Sequence, residues 1–155
     1  MLLCGSGNAQ AEQPATTDEL PADTVLILQR GACEHRCPVY NLIIFADGSV
    51  IFDGRAYVRR PGLTRTTIGR DVVRRLLDTA QSIGFFTLKD RYLPGGPDGC
   101  VPAASDAPTA VVTVSSQGRS QTVVHHHGCS GEASKSLAQF EAGIDAAVNS
   151  SRWVR

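Results

Sequence analysis

From residue 24 onward, apolar positions recur in two rhythms, an alternating one that suits strands and a longer one that suits helices. Thr24 to Gln29, TVLILQ, is a β-rich run and predicts a first strand. Residues 40–54, YNLIIFADGSVIFDG, hold two such runs joined at Asp47-Gly48. That pair favours a two-residue type I′ turn, in which both central residues take positive φ. The turn sets Phe45 opposite Val50 and Ile43 opposite Phe52, one strongly apolar face, and leaves Leu42, Ile44, Ile51 and Asp53 on a mixed one. A second hairpin is predicted in TAVVTVSSQGRSQTVVHHH, turning at Gln117-Gly118, with Val112 opposite Val123 and Ala110 opposite His125.

A helix is expected after each hairpin. Residues 67–83 place Val72, Leu76, Ala80 and Ile83 on one stripe and stop at Gly84, a residue that ends helices readily. Residues 131–148 align Leu137, Phe140, Ile144 and Val148 behind a Ser130 cap. The fold class is therefore α+β: an antiparallel sheet of two β-hairpins plus a first strand, with two helices on one face, as two ββα units. The expected core is Leu26, Ile43, Phe45, Val50, Phe52, Leu76, Phe86, Val112, Val123, Phe140 and Ile144.

At 155 residues the chain has room for one domain, and no apolar run approaches the roughly 20 residues of a membrane span. We divide it into a residual signal-peptide segment (1–11), an acidic linker (12–23), a single α+β domain (24–150) and a C-terminal tail (151–155). The first segment, MLLCGSGNAQA, ends in Ala9-Gln10-Ala11, a small-x-small pattern of the kind a signal peptidase cleaves. Lipid anchoring through Cys4 is the alternative, although Leu3 stands where a small residue is usual, and an ordinary disordered terminus of a cytoplasmic protein is a third. A periplasmic or secreted protein is expected.

Four further cysteines suit export, because an even number in a small exported domain is most simply a set of disulfides. Three pairings are open, and Cys33 with Cys37 and Cys100 with Cys129 is preferred: one closes a tight local loop, the other ties the loop YLPGGPDGC to a later strand end.

CEHRCPVYNLIIFADGSVIFDG, the following helix, FFTLKDRY and SDAPTAVVTV together resemble a bacterial domain family of unknown function found in exported proteins and lipoproteins. The resemblance rests on C-x-x-x-C-P-x-Y (Cys33, Cys37, Pro38, Tyr40), D-G-x-V-x-[YF]-x-G (Asp47, Gly48, Val50, Phe52, Gly54) and D-x-P-T (Asp106, Pro108, Thr109). It covers about residues 24–148 and implies no activity. Cys100, Cys129 and the three consecutive histidines lie outside that signature.

C-x-x-x-C-P also resembles the copper-binding segment of the assembly factors that deliver copper to cytochrome oxidase, where two thiolates and a distant histidine hold the metal. Those proteins carry it between a strand and a helix, whereas here a hairpin follows. A disulfide staple is the first expectation for Cys33 and Cys37. A copper or zinc site drawing on Cys33, Cys37, His35, His125 and His127 is the alternative, since thiolate and imidazole suit those ions. A thiol-disulfide oxidoreductase ranks third, because no helix follows to lower the thiol pKa. In HHHGC, His125 and His127 share a strand face and His126 points away. The plainer expectation sets His125 on the inner face opposite Ala110 and leaves the others in water at a strand end.

The net charge is zero, but residues 12–23 hold four acids, leaving fifteen bases against eleven acids in the rest. Arg55, Arg59, Arg60, Arg65, Arg70, Arg74 and Arg75 crowd one segment with Asp71 as its only acid, a candidate surface for an anion or an acidic partner. Nucleic acid is excluded as the expected partner by the small net charge and the 6% aromatic content. No nucleophile elbow, phosphate-binding glycine loop or H-E-x-x-H occurs, and Asp90, Tyr92 and Asp98 flank a glycine-rich loop without a catalytic spacing. A non-enzymatic binding or interaction module of the bacterial envelope, with no cofactor, is the expectation.

Overall fold

The computed structural model describes residues 23–95, 100 and 106–155. The expected leader, Cys4, the linker apart from Asp23, and Asp98 lie outside the described residues. A seven-stranded sheet forms in the order β4-β3-β2-β1-β6-β7-β5. Its strands are β1 (Thr24–Arg30), β2 (Val39–Phe45), β3 (Ser49–Ala56), β4 (Gly62–Thr67), β5 (Arg91–Tyr92), β6 (Thr109–Ser116) and β7 (Arg119–His126). All neighbours are antiparallel except β5 and β7. The first strand is central, with the β2–β3–β4 meander on one side and the β6–β7 hairpin on the other. The α+β class is as expected; β4 and β5 extend the sheet beyond it.

The first hairpin differs from expectation by one residue. Ile44 pairs with Val50, Ile43 with Ile51 and Leu42 with Phe52. Asp47 Oδ1 accepts the Ser49 amide at 2.8 Å, and the Gly48 amide donates to the Phe45 carbonyl at 3.0 Å. This side-chain turn draws a third residue into the loop. Gly48 takes φ 92°, and a Cβ there would collide with the Ile68 carbonyl, so the close approach of the segment before the helix also requires glycine. Because side chains alternate along a strand, the slip exchanges the faces. Leu42, Ile44, Val50 and Phe52 turn inward at 1% exposure or less, and Ile43 and Phe45 are half-buried on the other face. Leu42→Ala is expected to cost about 2–5 kcal/mol in urea unfolding, and Ile43→Ala less than half of that. Equal losses would contradict this register. The second hairpin turns at Gln117-Gly118 (φ 52° and 74°), with Val112 opposite Val123 and Ala110 opposite His125 as expected.

Two long helices complete the core. The first, α1 (Arg70–Ser82), begins three residues later than expected because residues 62–67 pair with β3, and it buries Val73, Leu76 and Ala80. Gly84, φ 68°, follows its end. The second, α2 (Glu132–Val148), buries Leu137, Phe140, Ile144 and Val148, but its N-cap is Gly131, not Ser130. Both pack on the inward sheet face, whose side chains join theirs in one cluster. Phe86 is half-buried, and Phe85 takes the core position assigned to it. Residues 151–155 are not a tail. There α3 (Ser151–Val154) buries Trp153 with its ring 4.9 Å from that of Phe52, and the Trp153 carbonyl accepts the Arg60 amide at 2.9 Å.

Candidate functional site

Along β1 the inward positions run Leu26, Leu28, Arg30, so an apolar strand ends by turning a guanidinium toward the core. Arg30 lies opposite Tyr40 of β2 and Ala110 of β6, and Ala110 lies opposite His125 of β7. One rung of the inward face therefore reads Tyr40, Arg30, Ala110, His125, where the next rung, Leu42, Leu28, Val112, Val123, is wholly apolar. Ala110 carries only a methyl, too short to reach the helix above.

That helix supplies the carboxylates. Glu141 and Asp145 are one turn apart on α2 and face the rung together. Glu141 is fully buried and accepts from His125 Nδ1 at 2.8 Å, His127 Nε2 at 2.5 Å and Arg30 Nη1 at 3.0 Å. Asp145 Oδ2 accepts Arg30 Nε at 3.1 Å and Nη2 at 2.8 Å, while its Oδ1 accepts the hydroxyls of Tyr40 at 2.8 Å and Ser150 at 2.5 Å. Such saturation is what a buried acid and its half-buried neighbour need, since an unpaired buried charge is costly.

The acidities follow from these contacts. Burial acts to raise the Glu141 pKa, but the bonds from His125 and His127 outweigh it and hold it at about 2. Burial, joined by the Asp145 charge, pushes the Tyr40 phenol up to about 12. For Arg30 burial acts downward, and the Asp145 and Glu141 carboxylates reverse it to a net rise.

Both histidines of the H-x-H pair are thus drawn into the network, with rings 4.9 Å apart. His126 is buried as well, its Nδ1 accepting the Gly128 amide at 3.0 Å, so neither it nor His127 stands in water. His125, His127 and Glu141 place donor atoms within 4.8 Å of one another, a spacing compatible with a metal ion. Arg30 Nη1, however, stands 3.0 Å from Glu141 and 3.2 Å from His127 Nε2, where a guanidinium competes with a cation for the same lone pairs.

The cysteines of the metal alternative are not among these groups. Cys33 is bonded to Cys37, and Cys100 to Cys129. The His35 side chain is 83% exposed and 4.0 Å from Asp106. Cys37 and Pro38 line a cleft of about 280 Å³ together with Arg30, Tyr40, His127 and Asp145, so the C-x-x-x-C-P loop packs beside the polar rung.

Residues 24–148 match the domain of unknown function DUF6438. The chain belongs to the DUF6438 family. No curated protein matches it.

The arginine-rich segment of this DUF6438 domain runs from β3 through the edge strand β4 into α1. All seven arginines are exposed: Arg55 at the end of β3, Arg59 and Arg60 in the loop, Arg65 on the edge strand β4, and Arg70, Arg74 and Arg75 on α1. Arg55 pairs with Asp53 at 2.5 Å and Arg75 with Asp71 at 2.7 Å. Arg59 reaches the Arg155 carbonyl at 3.3 Å, and Arg60, Arg65, Arg70 and Arg74 form no ion pair among the described residues. The C-terminal helix adds Arg152, which donates to Thr66 of β4 at 3.1 Å and stacks on Trp153.

Arg30, Glu141 and Asp145 carry no expectation from the sequence, and Tyr40 enters there only as the last residue of C-x-x-x-C-P-x-Y. The available signals were a charge at an inward strand parity and an acid inside an apolar helical stripe, four residues after Leu137 and three before Ile144.

Proposed function

We propose that this domain is an exported, non-enzymatic binding module of the bacterial envelope whose arginine-bearing edge takes an acidic partner. The observation that carries the proposal is the run of exposed arginines along β4 and α1, most of them without an acid partner among the described residues. Guanidinium groups left in water beside an unpaired strand edge suit an acidic polypeptide, which meets both the charges and the free backbone groups. The two disulfides support an oxidising compartment, reached by cleavage of a leader or by lipid anchoring at Cys4. Every carboxylate oxygen of the polar rung already accepts from the chain's own donors, which suits a structural role over proton transfer.

The C-x-x-x-C-P-x-Y segment acts on this view as a staple that seats Tyr40 beside Arg30. A copper or zinc site at Cys33 and Cys37 would first require that their bond be reduced to thiolates.

Labelled poly-L-glutamate is the probe. Fluorescence anisotropy should show saturable binding that weakens steeply as salt rises from about 0.05 to about 0.5 M. Binding that is absent at low salt, or indifferent to salt, would contradict the proposal.

A further inference from the structure

A second cavity lies at the start of α2, of about 270 Å³ and lined among others by His125, His127, Gly131, Glu132, Ser134 and Lys135. The 17-residue helix beginning there has glycine at its N-cap and no side-chain cap hydrogen bond. Its first amides carry the positive end of the helix dipole.

An independent observation points to a ligand. His125 is 1% exposed and Ser134 4%, and both line this cavity. His125 Nε2 and Ser134 Oγ are buried and hydrogen-bond to nothing among the described residues. A buried polar atom without a partner is costly, and two at one cavity concentrate that cost where a bound oxygen would relieve it. Glu141 holds a proton on His125 Nδ1, because a carboxylate there accepts. The Nε2 edge then meets a protonated phosphate oxygen as an acceptor, or an ionised one as a donor when the ring is charged. Lys135 is exposed and adds a cation, against the exposed carboxylate of Glu132.

We propose that this cavity binds a small tetrahedral oxyanion of the phosphate class. Ser134 Oγ, the Nε2 edge of His125 and the Lys135 ammonium supply its side-chain contacts, and the first-turn amides of α2 its backbone contacts. The arginine edge takes no part, so either proposal can fail without the other.

The test is a titration of the intact, disulfide-bonded protein with inorganic phosphate, followed by ¹H–¹⁵N NMR. Saturable shifts are expected at the amides of residues 132–135 and at the His125 ring nitrogens. Ser134→Ala, which suits a helix, should weaken binding roughly tenfold and Lys135→Ala roughly fivefold. Arg70→Ala and Arg74→Ala should leave it unchanged. Shifts confined to the arginine edge, no saturation in the millimolar range, or wild-type affinity in both Ser134→Ala and Lys135→Ala would overturn the proposal.

Discussion

Glu141→Ala is expected to remove about 3–5 kcal/mol of folding stability, the loss typical when one member of a buried charge network is deleted. The carboxylate is fully buried and joins His125, His127 and Arg30, so its removal strips three donors of their acceptor at once. Arg30 keeps Asp145, but His125, buried beneath α2, keeps no partner for either ring nitrogen. Urea unfolding near neutral pH measures the loss. A cost below about 1 kcal/mol, ordinary for a surface substitution, would show that the network does not hold the helix to the sheet. The same carboxylate sets an acid limb. Its pKa falls from 4.5 in the unfolded chain to about 2 in the fold. Its contribution is thus complete above 4.5 and is lost as pH drops toward 2. Glu141→Gln should flatten that limb of the stability profile.

Removal of the Cys100–Cys129 bridge by paired alanine substitution should cost about 3–4 kcal/mol, because it releases a loop of 29 residues in the unfolded chain. The Cys33–Cys37 bridge spans only four residues, and its removal should cost about 2 kcal/mol or less on the same chain-entropy basis. Urea midpoints of the two double variants separate these cases. A larger loss from the short bridge would mean that it does more than close a loop, by seating Pro38 and Tyr40 against the polar rung.

The elements that were legible in the sequence are those whose local chemistry decides them. Gln117-Gly118 admits a two-residue turn, and the structure has one, with the register that follows from it. At Asp47-Gly48 the same rule misleads, because Asp47 uses its side chain to accept the Ser49 amide and the Ile68 carbonyl packs against Gly48. Neither contact is visible to a two-residue motif. The strand β4, GLTRTT, has no apolar alternation, since it is an edge strand held by backbone bonds to β3. Arginine on such an edge also discourages pairing with further sheets.

The polar rung was legible in part. His125 opposite Ala110 follows from the second hairpin, but its partner on α2 requires knowing which helix lies above which end of the sheet. An acid at position 141 within the stripe Leu137, Phe140, Ile144, Val148 marks a buried charge, and Arg30 at an inward parity marks its counter-ion. Distance along the chain, 111 residues between Arg30 and Glu141, hides the pair from any local pattern. The arginines were legible as a cluster in sequence, and the fold leaves all seven exposed, with Arg65 on the edge strand β4 and Arg70, Arg74 and Arg75 on α1.

Charge reversal on these exposed arginines is the most direct measurement. Arg65→Glu, Arg70→Glu and Arg74→Glu combined alter exposed residues without an ion pair among the described residues, so the fold should persist. At low salt the triple variant should bind labelled poly-L-glutamate at least about tenfold more weakly than the unaltered domain, since like charges now face the probe. Undiminished affinity in a variant of unchanged unfolding midpoint would contradict the assignment of the arginine edge as the binding surface.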